Sequence, residues 1–257
     1  SNTMINYMAV KDKTNCSLNK CHTKKGKRIK LTVTVNVIIY NRSVKNYFLI
    51  IRNLYFNDTL HKILNIDIIF INCIFISSQI HANAYQNKTI KFINSTWLSH
   101  GYIASNYYFI VIKSYTILIF KSCFFKGIQH FHLSSIIHIG DVSTVCFIGV
   151  KMTHFEGKVL LISNVREVFI YRSHFHDLTD SGVGKEDHSI WGTVFHGIME
   201  TMIQDSLFQS LHNFGIMFQN TTGVELLNVN LINCTTQSIN GVMYLNLSRN
   251  TFTLFMH

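Results

Sequence analysis

One stretch of the chain concentrates residues that could do chemistry. The segment from Ser173 to Trp191 reads SHFHDLTDSGVGKEDHSIW. Imidazole and carboxylate groups are used for acid–base catalysis and for binding metal ions, and the segment holds both in His174, His176, Asp177, Asp180, Glu186, Asp187 and His188. All of these except Glu186 are the catalytic candidates if the chain is an enzyme. The alternative is a solvated polar loop between two structural units.

The elements that must position these residues follow from an internal repeat. Eight windows of eight residues align without gaps at spacings of 20 to 33 residues. They start at Phe48, Ile68, Ile90, Ile117, Ile148, Val168, Thr201 and Val224, and Phe252 opens a ninth. The third position is always apolar and the eighth is aromatic in seven windows, an alternation that predicts strands. The polar fifth and small sixth positions indicate a bend.

The fifth window can be aligned in two registers. A start at Val145 would place Met152 at the eighth position, whereas a start at Ile148 places Phe155 there. We choose Ile148, because Thr-His-Phe then matches the Ser-His-Phe that ends at Phe175. The repeat thus predicts equivalent side chains stacked in successive coils.

This pattern resembles the right-handed parallel β-helix of the pectin-lyase-like superfamily. The resemblance covers residues 45–257 and implies an all-β solenoid of roughly nine to ten coils. Residues 1–44 form a basic, Cys-containing arm or N-terminal cap. The alternative, a β-sandwich, is disfavoured because its strands would recur every 8–12 residues. The chain ends inside what looks like another window, and we expect a truncated repeat array.

The resemblance also implies where an enzyme would hold its catalytic groups, and the chain departs from those patterns. Polygalacturonase-like enzymes use Asn-Thr-Asp, Asp-Asp, Gly-His-Gly and Arg-Ile-Lys in that order, and the first three are absent here. The one Arg-Ile-Lys, at residues 28–30, precedes the repeats. Glycoside hydrolysis requires two carboxylates at a defined separation, and the 13 acidic residues are mostly dispersed. We therefore expect a non-catalytic module, with a polysaccharide lyase or hydrolase active near residues 174–188 as the alternative.

Two sets of side chains could bind a metal or form a disulfide. In the chosen register Cys123, His154 and His174 share the seventh position and would stack on the surface, where they could bind a metal or form only a surface ladder. Cys16 and Cys21 are close enough in sequence for a local disulfide, with free thiols or a zinc site including His22 as alternatives. No cofactor-binding motif is found, and the sequence GVGK lacks the spacing of a phosphate-binding loop.

Charge and sequons bear on partners and location. Residues 11–30 hold eight Lys or Arg residues and one Asp, so this arm could bind polyanions, or it could be a solvated flank. No apolar run is long enough to span a membrane. Sequons with accessible asparagines are expected at Asn15, Asn41, Asn57, Asn87, Asn220, Asn233 and Asn246. Asn94 also lies in a sequon, but its bend is expected to shield it. We thus expect an extracellular or cell-surface glycoprotein that binds glycans or protein partners.

Overall fold

The structure, a computed structural model, describes residues 3–6, 29–32, 36–41, 48–85, 87–99, 109–127, 137–156, 159–179, 191–212, 215–235 and 243–255. Over these residues the chain forms 26 β-strands and no helix. Accordingly, the described part of the chain offers no helix of the length and apolarity needed to span a bilayer.

Three tracks of parallel strands run along the molecule. The first contains β3 (Asn36–Asn41), β6 (Leu60–Leu64), β9 (Gln79–Asn83), β12 (Ile110–Lys113), β15 (Ile137–Gly140), β18 (Leu160–Ser163) and β21 (Trp191–His196). The second contains β4 (Phe48–Arg52), β7 (Asp67–Ile71), β10 (Thr89–Ile93), β13 (Ile117–Lys121), β16 (Thr144–Ile148), β19 (Glu167–Tyr171) and β22 (Glu200–Gln204). Two longer strands, β24 (Gly215–Leu227) and β26 (Met243–Phe255), complete both tracks because each passes from the first into the second.

The third track closes each coil. It contains β2 (Ile29–Thr32), β5 (Leu54–Asn57), β8 (Ile74–Ile76), β11 (Thr96–Leu98), β14 (Phe124–Lys126), β17 (Lys151–Glu156), β20 (His174–Thr179), β23 (Leu207–His212) and β25 (Asn230–Ile232). Each track pairs its members in parallel. The first two tracks, joined through β24 and β26, form one 17-stranded sheet together with strand β1 (Thr3–Asn6), and the third track forms a sheet of nine. The predicted fold class, an all-β parallel solenoid, is confirmed.

The N-terminal strands belong to the same stack. Strands β2 and β3 are the first members of their tracks, and they pair in parallel with β5 and β6. Strand β1 (Thr3–Asn6) is the exception in direction, because it pairs antiparallel with β3. It thereby covers backbone groups that would otherwise form an open edge. The predicted domain boundary at residue 44 stays a prediction.

Large side chains form continuous ladders inside the coils. In the third track the ladder consists of Phe56, Phe75, Trp97, Phe125, Met152, Phe175 and Phe208, all buried. The rings of Phe75 and Trp97 stack with centroids 4.8 Å apart, and those of Trp97 and Phe125 are 4.5 Å apart. Stacked rings of this kind add to the free energy gained by burying their area. The predicted vertical column therefore exists, with Phe75, Trp97, Phe175 and Phe208 at the predicted positions. Tyr55, Phe124 and Phe155 were also predicted to belong to it, but their places are taken by Phe56, Phe125 and Met152.

The register predicted for the fifth window is wrong. The window starts at Val145 rather than Ile148, because Val145 pairs with equivalent residues of β13 and β19. Met152 consequently lies in the ladder between Phe125 and Phe175. A flexible thioether side chain fills the space between two rings that a third ring would otherwise occupy. Two further windows start one residue later than predicted, at Leu49 and Leu118.

Small side chains face inward where the second track turns into the third. This column includes Cys73, Ser95, Cys123, Ser173 and Ser206, each no more than 2% exposed. Their hydroxyl or thiol groups donate to the carbonyl two residues earlier, as Ser95 Oγ does to Ile93 O at 3.1 Å. Each small residue therefore satisfies its own polar group inside the core.

Left-handed residues make the corners. The corner between the second and third tracks uses Asn53, Asn72, Asn94, Ser122, Gly149, Arg172, Asp205 and Asn228, all with φ between 48° and 60°. Asn and Asp adopt this conformation more readily than most residues, and Gly adopts it freely. The amides at these corners bond to the next coil, as Asn72 N does to Ile93 O at 3.0 Å. Proline is absent from the chain, and these residues supply the turns instead.

Candidate functional site

The clustered polar residues lie on the outer face of the third track, on strands β17 and β20. The parallel register places Lys151 beside His174 and Thr153 beside His176. These side chains alternate with the inward Met152 and Phe175. The buried ladder therefore holds the outward residues of two neighbouring coils in fixed positions, because a strand that is anchored on one face cannot shift its register.

A bulge at the same level of each strand projects two further side chains. His154 has φ 58° and Asp177 has φ 53°, so both adopt the left-handed conformation. The strands resume pairing beyond them, with Phe155 beside Leu178. Asp and His are among the residues that tolerate this conformation best. The bulge brings His154 of one coil and Asp177 of the next to the same corner.

The side chains of Thr153, His154, His176 and Asp177 form one polar network. His176 Nδ1 lies 2.8 Å from Asp177 Oδ2 and 3.2 Å from Thr153 Oγ1. The carboxylate can only accept, so His176 Nδ1 carries a proton. Thr153 Oγ1 also bonds to His154 Nδ1, and His154 Nε2 lies 3.9 Å from Asp177 Oδ2. The carboxylate thus lies between two imidazoles from successive coils.

A third imidazole lies against this network. The rings of His174 and His176 have centroids 4.6 Å apart. Burial, followed by the neighbouring His176, lowers the pKa of His174; Lys151 lowers it further, while Gln209 and Asp177 oppose the shift. His174 is therefore neutral at neutral pH. The Nε2 atoms of His174 and His176 are buried and have no hydrogen-bond partner among the described residues.

The network is open to solvent at its acidic end. The side chain of Asp177 is 44% exposed and that of His154 is 40% exposed, whereas His176 is 17% exposed. Lys151 is exposed on β17 itself, and Lys126 is exposed on the preceding coil, beside Thr153. An external ligand can therefore reach the carboxylate and the neighbouring cations, while the partly buried imidazole of His176 contacts the carboxylate from the protein side.

The catalytic candidates are only partly brought together. His174, His176 and Asp177 lie in the network, joined by Thr153 and His154. Asp180, Asp187 and His188 lie outside the described residues, so their place relative to the network stays a prediction. The sequence could have identified Thr153, because a start at Val145 puts it level with His176 on the outer face.

The ladder proposed for metal binding is wrong. Cys123 faces the core at 1% exposure, where its Sγ donates to Phe92 O at 3.3 Å. His174 stacks beside Lys151, and His154 stacks beside the left-handed Asp177 rather than either predicted partner. Burial raises the pKa of the Cys123 thiol to about 12, which leaves it protonated. Among the residues described, no three His, Cys, Asp or Glu side chains are arranged to hold a metal ion.

The remaining site predictions fall in several places. Cys16, Cys21 and the basic segment 11–30 lie largely outside the described residues, so the disulfide and polyanion predictions stay predictions. Asn87, Asn220 and Asn233 are exposed at left-handed positions. Asn94 is also exposed, contrary to the expectation that its bend would shield it. Of the others, Asn57 donates to Asp58 Oδ2 at 2.6 Å, Asn41 and Asn246 lie in β3 and β26, and Asn15 lies outside the described residues.

Comparison of the chain with protein-family models, with curated proteins and with solved structures gave no match.

Proposed function

We propose that the chain is a non-catalytic, extracellular β-helix module that binds a glycan on the outer face of its third track. The observation that carries this proposal is the network of Thr153, His154, His176 and Asp177, which spans two coils on a rigid sheet. Sugars present adjacent hydroxyl groups that both donate and accept hydrogen bonds. A half-exposed carboxylate fixed between imidazoles can accept from two such hydroxyls at once.

The surroundings of the network support the same class of ligand. The exposed Lys151 on β17 and the exposed Lys126 on the preceding coil supply cations, so an acidic sugar gains a favourable charge contact. The regular coil spacing of about 4.8 Å gives the face a periodic surface that an extended chain of sugars can follow. Membership of the pectin-lyase-like superfamily is part of the same proposal, and the three parallel tracks and inward ladders support it.

An extracellular location is part of the proposal. It is supported by the sequons at the exposed Asn87, Asn220 and Asn233, because Asn-x-Ser/Thr on a surface is glycosylated only in the secretory pathway. The measurement is the intact mass of the protein secreted from a eukaryotic host before and after glycosidase treatment. Loss of hexose-containing mass supports the location, and an unmodified chain contradicts it.

The glycan proposal is tested by a panel of immobilised neutral and acidic oligosaccharides. Asp177→Asn keeps the size and the left-handed conformation of the residue but removes the charge. We expect it to weaken binding of the recognised oligosaccharide about ten- to a hundred-fold, the usual cost of losing a charged hydrogen bond. The matched control is Asp205→Asn, because Asp205 is also left-handed but bonds to Asn228 at 2.9 Å on a different corner.

Two outcomes would contradict the proposal. One is that no oligosaccharide of the panel binds the wild-type chain. The other is that Asp177→Asn and Asp205→Asn weaken binding equally, because the effect would then not arise at the network.

A polysaccharide lyase or hydrolase is the second candidate. The contact of His176 Nδ1 with Asp177 at 2.8 Å favours it, since a carboxylate that orients an imidazole is the arrangement of a general base. Asp177 is the one carboxylate bonded to the network among the described residues, whereas glycoside hydrolysis uses two. The same panel, read for new reducing ends or unsaturated products, separates the candidates: cleavage that disappears in Asp177→Asn would establish an enzyme.

A further inference from the structure

The outer face of the second track is unusually apolar for a sheet that faces outward. Its middle column runs through Ile50, Ile69, Lys91, Ile119, Cys146, Phe169, Met202 and Glu225, which the parallel register stacks on successive coils. The six uncharged members are each only half-buried by their neighbours. Parallel sheets normally have both faces covered, and the four coils from Ile119 to Met202 form an uninterrupted apolar stripe, which marks a contact surface.

Charges along this face are divided by sign. Arg52 and Lys121 are exposed on the N-terminal coils, where Asp67 is already paired with Lys88 at 3.1 Å. Lys91 lies in the same half. Glu200 and Glu225 lie on the C-terminal coils, beyond Glu167, which pairs with Arg166 at 3.3 Å. The N-terminal half of this face therefore carries mostly basic groups, whereas its C-terminal half carries three glutamates against Arg166 and Arg172, the latter lying over the ring of Tyr171 at 4.7 Å.

We propose that this face binds a second copy of the chain, with the two solenoids antiparallel. In that arrangement the basic coils of each copy face the acidic coils of the other across a two-fold axis, and the apolar stripes are buried between them. In a parallel arrangement like charges would meet. A face that complements itself in one orientation is the requirement for a closed two-fold dimer.

The size of the face fits a stable dimer. Nine coils at about 4.8 Å and strands of about five residues at 3.3 Å give a surface of roughly 40 by 17 Å. Two such faces bury about 1,400 Å² in total, which is within the range of stable protein interfaces. The face is separate from the His176–Asp177 network, which lies on the third track, so the dimer does not depend on the glycan proposal.

The experiment is sedimentation velocity of the full 257-residue chain over a wide range of concentration. We expect a monomer–dimer equilibrium that Met202→Lys weakens at least about ten-fold, as for a residue at the centre of an interface. Lys121→Glu and Glu200→Lys should each weaken the dimer, and the double variant should recover part of the loss because opposite charges face each other again. Lys113→Glu, on the outer face of the first track, is the matched control and should leave the dimer intact.

Circular dichroism of each variant verifies that the coils still form. A wild-type chain that stays monomeric at every concentration would overturn the proposal. So would a dimer that tolerates Met202→Lys, or one that Lys113→Glu weakens as much as Lys121→Glu does, since the contact would then lie on another face.

Discussion

At the scale of single residues, the interior of the coils is apolar and contains a few polar side chains, some of which hydrogen-bond to one another. His61 is the clearest of these at 1% exposure. Its Nε2 lies 2.8 Å from Thr59 Oγ1, which donates to Ser78 Oγ at 3.0 Å, and its ring meets the edge of Phe56. Burial lowers the pKa of His61 to about 3. The folded chain therefore keeps this imidazole neutral over a range of pH in which an unfolded chain protonates it.

This difference predicts a loss of stability in acid. Below about pH 6.5 the unfolded chain binds a proton at His61 that the folded chain does not, so the free energy of unfolding falls by about 1.4 kcal/mol per pH unit down to the folded pKa. His61→Leu removes that contribution. Urea unfolding measures the free energy of unfolding at pH 7 and at pH 5. We expect this free energy to fall by about 2 kcal/mol more in the wild type than in the variant between the two pH values. Equal decreases in the two chains would show that His61 is not buried as a neutral group.

At the scale of elements, the corners decide where each strand ends. Gly149 is the one glycine in the column of left-handed residues between the second and third tracks, with φ 60°. A Cβ added there would meet Ser122 Oγ at 3.9 Å, an ordinary contact. A larger side chain at position 149 therefore meets no steric clash at its Cβ. What opposes its substitution is the left-handed backbone conformation alone.

The corner account predicts an order of stability at this position. Gly149→Ala should lower the free energy of unfolding by about 1–2 kcal/mol, the penalty of a left-handed residue with a Cβ. Gly149→Asn should lower it less, because asparagine tolerates that conformation. Gly140→Ala is the control: that glycine lies in β15 without positive φ, and its added Cβ would lie 3.5 Å from Ser163 Oγ. We expect it to be neutral or stabilising. Denaturant unfolding measures all three, and equal costs for Ala at 149 and 140 would contradict the corner account.

Much of the element pattern follows from the sequence, because inward ladders force equivalent positions to look alike. The windows at Ile68, Ile90 and Val168 were predicted in the correct register for this reason. The fifth window was predicted in the wrong register, because residues 145–155 fit the repeat from either Val145 or Ile148. The start at Ile148 puts the aromatic Phe155 at the eighth position, where the other windows also have an aromatic residue. In the structure Gly149 makes the corner and Met152 takes the place of an aromatic residue in the ladder. A search for recurring aromatic residues detects neither of these.

The site was predictable to a similar extent. The clustering of His174, His176 and Asp177 is visible in the sequence. Thr153 follows from the sequence only if the fifth window starts at Val145, which places it beside His176. The link to His154 is not visible, because it depends on the bulge at Asp177, where one residue per strand turns outward. A pattern of alternating strands contains no signal for that extra residue.

At the scale of the whole molecule, each coil contacts only its neighbours, and between β2 and β26 the longest connections all leave from one corner. The chain passes from the third track to the first between β11 and β12, between β14 and β15, and between β20 and β21 by its longer connections. The network of His176 and Asp177 lies beside that corner. Variation in length is therefore accommodated where the third track ends, while the coils keep a constant register, as in other solenoids.

The central claim is that the coils stack in the register set by Val145, and a disulfide tests it most directly. In that register Phe124 lies beside Lys151 on the outer face, at a spacing suited to a disulfide; in the register set by Ile148 it would lie beside Phe155. The double variant Phe124→Cys/Lys151→Cys is compared with Phe124→Cys/Phe155→Cys. The other cysteines are replaced by serine, except the buried Cys73 and Cys123. Peptide mapping after mild oxidation should find the cross-link in the first variant and not in the second, and the opposite result would contradict the stack.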